Sequence, residues 1–220
     1  MSRGERLRKD TRIILALDET DETKARGVVE EVSGLVDAIK INWPLVLASS
    51  PQIITELSRL SDVICDFKVA DIPNTDRLIV EQAFRRGASG VIVHAFTGTD
   101  SLRAAVEAAG EGDIYVVTEM SHPGGQEFTA SLAERFAQMA VDVGARGIIA
   151  PATRPERIAR MRSVVGDRLI LSPGVGAQGG SASAAIANGA DYVIVGRSIY
   201  GNARPREAAE ALAGEIASLK

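Results

Sequence analysis

The chain has 220 residues, with 25 Lys and Arg against 29 Asp and Glu, a formal net charge of −4. That length holds one domain or at most two small ones, and that charge argues against a nucleic-acid binder held by a basic surface. Apolar residues make up 45% and aromatic residues 4%, which excludes a disordered chain and leaves a core of Val, Ile, Leu and Ala.

Cys65 is the single cysteine, and His94 and His122 are the two histidines. An internal disulfide and a Cys-cluster metal site are therefore excluded, and no metal is expected. No run approaches the ~18 consecutive apolar residues of a membrane helix. The start is too charged for a signal peptide. Arg3, Arg6, Arg8 and Lys9, interrupted by Glu5, make residues 1–11 read as a solvated N-terminal arm. The expectation is one domain over 1–220, cytoplasmic, with neither a membrane nor a nucleic acid as partner.

From there short apolar runs recur in order: 13–17 (IILAL), 38–41 (AIKI), 63–67 (VICDF), 90–94 (GVIVH), 114–118 (IYVVT), 147–150 (GIIA), 169–172 (LILS) and 192–195 (YVIV). Each is rich in β-branched residues, bounded by turn or charged residues, and reads as a buried strand. Their starts lie 22 to 33 positions apart. Segments of helical period fill the gaps. Examples are Ile53, Ile54, Leu57 and Leu60, then Leu102, Ala105, Val106 and Ala109, then Leu132, Phe136, Met139, Ala140 and Val143. Ser50 and Pro51 mark one helix start, and Thr153 and Glu156 have the spacing of a capping box at another. Eight such units describe a single (β/α)8 TIM barrel of the α/β class. A doubly wound open sheet is the alternative, usually with fewer strands. The longest gap holds 119–129 (EMSHPGGQEFT), too long for a bare connection and placed to cover a site.

Charges gather where these strands end. Asp66 and Lys68 share a strand face, Lys40 lies near the end of the second strand, and Asp18 follows the first. Asp71 completes a DxKxxD pattern. A structural ion-pair network would look similar. Four charged groups at one rim favour a functional site, because barrel enzymes place their chemistry there. A lysine flanked by carboxylates stays protonated, so it is a competent acid and a poor Schiff-base nucleophile. A fixed carboxylate also repels an anionic substrate group, by about 4 kcal/mol at ~4 Å and an effective dielectric near 20.

After the seventh strand comes PGVGAQGG, at 173–180, and after the eighth Gly196-Arg197-Ser198. The glycines could simply make a tight turn. Together with an arginine at the neighbouring strand end they favour a phosphate, held by backbone N–H groups and a guanidinium.

At 66–75 (DFKVADIPNT) the chain resembles the orotidine 5′-monophosphate decarboxylases, most closely their short archaeal type. The same likeness runs through LALD at 15–18, Lys40-Ile41 with PLVL at 44–47, TEMSHPG at 118–124, SPGVGAQGG at 172–180 and VGRSIY at 195–200. The DxKxxD element is shared with ketogulonate-phosphate decarboxylases and hexulose-phosphate synthases. The Ile-Pro-x-Thr continuation and the Ser-His-Pro-Gly loop point to the orotidylate branch. The resemblance implies cofactor-free loss of CO2 from orotidine 5′-monophosphate to give UMP, the last step of de novo pyrimidine synthesis. It implies that Lys68 protonates C6, that Asp66 sits beside the departing carboxylate, and that Lys40 orients Asp66 and touches the ribose. Asp18 would bind a ribose hydroxyl, and Ser121 the pyrimidine edge. Pro173, Gly174, Val175, Gly176, Gln178, Gly196 and Arg197 would surround the phosphate. It further implies a homodimer in which Asp71, Ile72 and Thr75 complete the site, Asp71 and Thr75 reaching the partner's substrate. Outside these roles, Trp43 reads as a packing residue, His94 as a hydrogen-bonded core residue, and Cys65 as an apolar filler.

Overall fold

A computed structural model describes residues 7–219. Among the described residues eight parallel strands form a closed barrel: β1 (Ile13–Leu17), β2 (Ala38–Ile41), β3 (Val63–Val69), β4 (Gly90–His94), β5 (Asp113–Val117), β6 (Gly147–Ile149), β7 (Leu169–Pro173) and β8 (Tyr192–Val195). β8 pairs back onto β1, Ile13 opposite Val193. The open-sheet alternative is thereby removed. Around the barrel run α1 (Glu22–Val32), α2 (Trp43–Ala48), α3 (Gln52–Leu57), α4 (Pro73–Arg85), α5 (Thr99–Ala109), α6 (Thr129–Asp142), α7 (Pro155–Val165), α8 (Ala182–Ala187), α9 (Arg197–Tyr200) and α10 (Pro205–Ala217). None of the described helices is long and apolar enough to cross a membrane.

Strand alternation sorts the apolar residues into two layers. Ile14, Ala16, Ala38, Ile64, Ile92, Tyr115, Val117, Ile149, Leu171, Tyr192 and Ile194 fill the barrel interior. Ile13, Leu15, Ile39, Ile41, Val63, Cys65 and Phe67 face outward and pack with Val29, Leu45, Val80, Leu102, Phe136 and Ile158 of the helices. The interior columns continue upward into the charged rim: Ala38 is followed by Lys40 and Ile64 by Asp66. Register sets Ala16 beside Lys40 and Lys40 beside Ile64, so these columns are neighbours.

Three local expectations are revised. β3 runs two residues past position 67, because the pairing with β4 slips between Cys65 and Val69 and resumes at Val69 opposite Val93. The capping box at 153–156 does not form: α7 begins at Pro155, and the Thr153 hydroxyl instead donates to the Ser121 carbonyl at 3.0 Å. The stretch read as a solvated arm is exposed at Arg8, Lys9 and Asp10 yet tied to the barrel floor. The Tyr192 hydroxyl donates to the carbonyls of Leu7 and Arg8, and the amides of Asp10, Thr11 and Arg12 donate to the Asp37 carboxylate. Residues 1–6 of the expected arm lie outside the described residues.

Candidate active site

At the carboxyl ends of the strands lies a cavity of about 370 Å³. Its floor is apolar, from Ile92, Val117, Ile149 and Ile194; one wall carries Asp18, Lys40, Asp66 and Lys68. Ser121, His122, Pro173, Gly174, Val175, Gln178, Gly196, Arg197 and Tyr200, from the segments after β5, β7 and β8, also line it.

The charged wall alternates in sign. The Lys40 ammonium lies 3.7 Å from an Asp18 oxygen and donates to Asp66 Oδ2 at 3.0 Å. The Lys68 ammonium donates to both Asp66 oxygens, at 2.8 and 2.9 Å. Lys40 and Asp66 are buried, while the Lys68 side chain keeps 32% exposure. Burial pushes the Asp66 carboxyl up, but the ammonium groups of Lys40 and Lys68 outweigh it and hold it below the usual carboxylate range. Asp66 therefore stays an anion, and a second anion placed beside it is repelled.

Lys68 reaches this position by an unusual route. Its backbone sits at φ +47°, in the left-handed region, where a residue with a Cβ pays roughly 1 kcal/mol or more. Strand alternation sets the lysine on the Asp66 face, and the ladder with β4 is irregular at the same place. Phe67, between them, points outward and stacks on Trp43, ring centres 4.4 Å apart, and the indole N–H donates to the Phe67 carbonyl at 3.1 Å. Trp43 is thus a packing residue that braces the backbone beside Lys68. His94 closes the neighbouring strand with its ring against Phe96 at 5.0 Å. Burial, and then the Lys68 charge, push its imidazole down to about 4. Cys65 is wholly buried, its thiol pushed up to about 12 chiefly by burial, as suits a filler.

The glycine-rich loop closes on itself: the Gly176 amide donates to the Gly180 carbonyl at 3.0 Å, and the Gly180 amide to the Gly174 carbonyl at 2.9 Å. Gly176 is not among the residues lining the cavity. Gly174 has φ +103°, and a Cβ there would press on the Thr153 methyl at 3.0 Å, so glycine is required for the turn. The Ser121 hydroxyl donates to Gln178 Oε1 at 2.8 Å, joining the loop after β5 to the loop after β7.

Asp71, Ile72 and Thr75 are not brought to this cavity. They sit on the shoulder before and at the start of α4, Asp71 and Ile72 exposed. The Asp71 carboxylate accepts the Ile72 amide at 2.7 Å, and the Ser101 hydroxyl donates to the Asp71 carbonyl at 2.8 Å. Thr75 lines a separate apolar groove of about 310 Å³ with Trp43, Phe67, Leu78 and Ile79.

Sequence reasoning passed over Glu119, Arg154 and Arg157. Glu119 is 1% exposed and takes the Arg154 Nε at 2.8 Å and the Arg157 Nε at 2.7 Å. A charged residue directly after a buried strand was the available signal; its partners lie 35 and 38 residues on and only the closed barrel brings them together. Asn42 and Tyr200 also line the cavity; Tyr200 ends the VGRSIY stretch, and Asn42 carried no signal in sequence beyond its place after a strand.

Residues 11–212 match the model of the orotidine 5′-phosphate decarboxylase / HUMPS family. An orotidine 5′-phosphate decarboxylase of Methanosarcina mazei is 57% identical over 96% of this chain and 97% of its own length. One from Thermococcus kodakarensis is 49% identical over 94% of this chain and 98% of its own. Among solved structures, the orotidine 5′-monophosphate decarboxylase of Methanocaldococcus jannaschii complexed with the inhibitor BMP superposes with a TM-score of 0.88. It shares 40% identity and covers 92% of this chain and 96% of that one. The Pyrococcus horikoshii OT3 enzyme gives 0.87 at 47% identity, covering 93% and 99%.

Proposed function

This chain belongs to the orotidine 5′-phosphate decarboxylase / HUMPS family, and from that membership we propose that it converts orotidine 5′-phosphate to UMP and CO2, with Lys68 protonating C6. The observation that carries this reading is the Asp18–Lys40–Asp66–Lys68 chain on one wall of the cavity. Asp66 is held as an anion between two ammonium groups. Beside it a substrate carboxylate is repelled, a repulsion relieved when the group leaves as neutral CO2. The electron pair left on C6 lies in the ring plane and cannot spread into the π-system, so fixed charge must stabilise it. The Lys68 ammonium is that charge and also the proton source. Lys40 holds Asp66 in place and, with Asp18, meets the ribose hydroxyls.

The far end of the cavity suits a phosphate. Arg197 supplies the cation, with Gln178, Pro173, Gly174, Val175 and Gly196 around it. Binding there, remote from C6, excludes water from the reacting centre behind the glycine loop and the 119–129 loop, which Ser121 and Gln178 already join. Ser121, already bonded to Gln178, reads the pyrimidine edge. Asp71 and Ile72, both exposed, and the half-buried Thr75 lie outside this cavity and complete the partner's site in a homodimer. The apolar groove beside Thr75, with Trp43 and Leu78 partly exposed, supports that contact.

The test is an absorbance assay of orotidine 5′-phosphate with purified protein in EDTA. Loss of the orotidylate band with formation of UMP is expected. Turnover that vanishes in EDTA and returns with Mg²⁺ rejects the cofactor-free step, and no turnover in either condition rejects the reading.

A further inference from the structure

The Glu119 carboxylate does not meet the reaction chemistry assigned above, yet it is almost fully buried between two guanidinium groups at the edge of the cavity. A carboxylate removed from water is retained at a cost unless charged donors replace the solvent. Here each oxygen has its own arginine. The arginines also reach past Glu119. Arg154 donates to the Met120 carbonyl at 2.5 Å and to the Ser121 carbonyl at 3.5 Å. Arg157 donates to the Ala130 carbonyl at 2.6 Å. Thr153 adds its hydroxyl on the Ser121 carbonyl at 3.0 Å. One carboxylate thus ties the start of α7 to both ends of the loop that carries Ser121. The backbone of Ser121 is held from this side, and its hydroxyl donates to Gln178 at 2.8 Å on the other.

We propose that Glu119 is a positioning residue: through Arg154 and Arg157 it presets Ser121 against Gln178, so that the ring-reading loop and the phosphate loop meet before substrate arrives. The inference rests on the decarboxylase reading. With the clamp intact, closure draws little on substrate binding. Without it, part of the binding energy must first order the loop, which raises KM more than it lowers kcat.

Glu119→Gln keeps the volume and removes the charge. In the assay with orotidine 5′-phosphate, kcat/KM is expected to fall by roughly tenfold or more, on the scale that misplacement of a contact group produces. Most of the loss should sit in KM. The dissociation constant for UMP, measured by calorimetry, should rise in parallel. Glu119→Gln combined with Ser121→Ala should be little worse than Ser121→Ala alone, because the clamp acts through Ser121. A residue that only supported the fold would instead multiply with Ser121→Ala. Should Glu119→Gln fail to fold, Arg157→Gln, which leaves Glu119 paired with Arg154, enters the same cycle with a smaller effect of the same sign. Active wild type with unchanged KM in these variants, or multiplying effects, overturns the inference alone. Wild type inert toward orotidine 5′-phosphate overturns the decarboxylase reading and the inference with it.

Discussion

The two mouths of the barrel use the same residue types to opposite ends. At the amino-terminal mouth Asp37 accepts the amides of Asp10, Thr11 and Arg12. Asp191 accepts Lys9, Arg162 and the Ile170 amide, and Arg12 donates to the carbonyls of Ala190 and Asp191. Burial raises the Asp191 carboxyl, but its bonds to Lys9 and Ile170 and the Arg162 charge outweigh that and lower it. These charges are bound to backbone and to one another, and they hold the arm and the last strand onto the floor. At the carboxyl-terminal mouth Asp66 is as firmly held, but by two lysines whose ammonium groups line a cavity. A network satisfied by backbone can only stabilise. A network of side chains facing open space retains charge for a ligand.

The comparison breaks first at Lys68. Lys68→Ala should lower kcat by about 10³-fold or more, the upper range for a general acid, while the melting temperature changes little. Were activity to survive, the upper mouth would be as purely structural as the lower one. The same variant sharpens the dimer reading. Mixed with Asp71→Ala subunits, it should regain activity, since one site of each mixed dimer is intact only if Asp71 crosses between subunits.

Asp37→Ala should do the reverse. Losing a carboxylate that caps three amides should cost about 3 kcal/mol of stability, read by denaturant unfolding, with kcat per folded molecule unchanged. Arg197→Ala should weaken UMP by roughly 30-fold, about 2 kcal/mol for a charged hydrogen bond to phosphate, and uridine hardly at all. Equal loss for both would remove Arg197 from the phosphate end.

A further test is in pH. The His94 imidazole, at about 4 instead of 6.5, binds its proton later in the folded state than in the unfolded. Its contribution to stability is therefore complete above 6.5 and is lost as pH falls toward about 4. His94→Leu should flatten the acid side of the stability curve in that window. An unchanged slope would place the effect elsewhere.

Four strands, 13–17, 38–41, 90–94 and 192–195, have the bounds their apolar runs predict, because a strand buried on both faces must be apolar throughout and charged or turn residues end it. The rim charges were legible for the same reason: Lys40 and Asp66 interrupt such runs on the interior face. What remained hidden depended on contacts far apart in sequence. Thr153 has the pattern of a helix cap and serves Ser121 instead, because the folded chain offers its hydroxyl a nearer carbonyl. Gly176 looks like a phosphate cradle and donates within its own loop.

The sequence by itself determined the barrel, since eight alternating apolar and helical segments of similar length have one economical way to bury their faces. It also determined which charged groups reach the rim, since side-chain direction follows from strand period. Only the tertiary structure decided how they meet. The left-handed turn at Lys68, the bridge from Ser121 to Gln178 and the burial of Glu119 between two arginines each depend on backbone paths from different strands. Closing the barrel brings those paths to one mouth, and no local pattern encodes that distance.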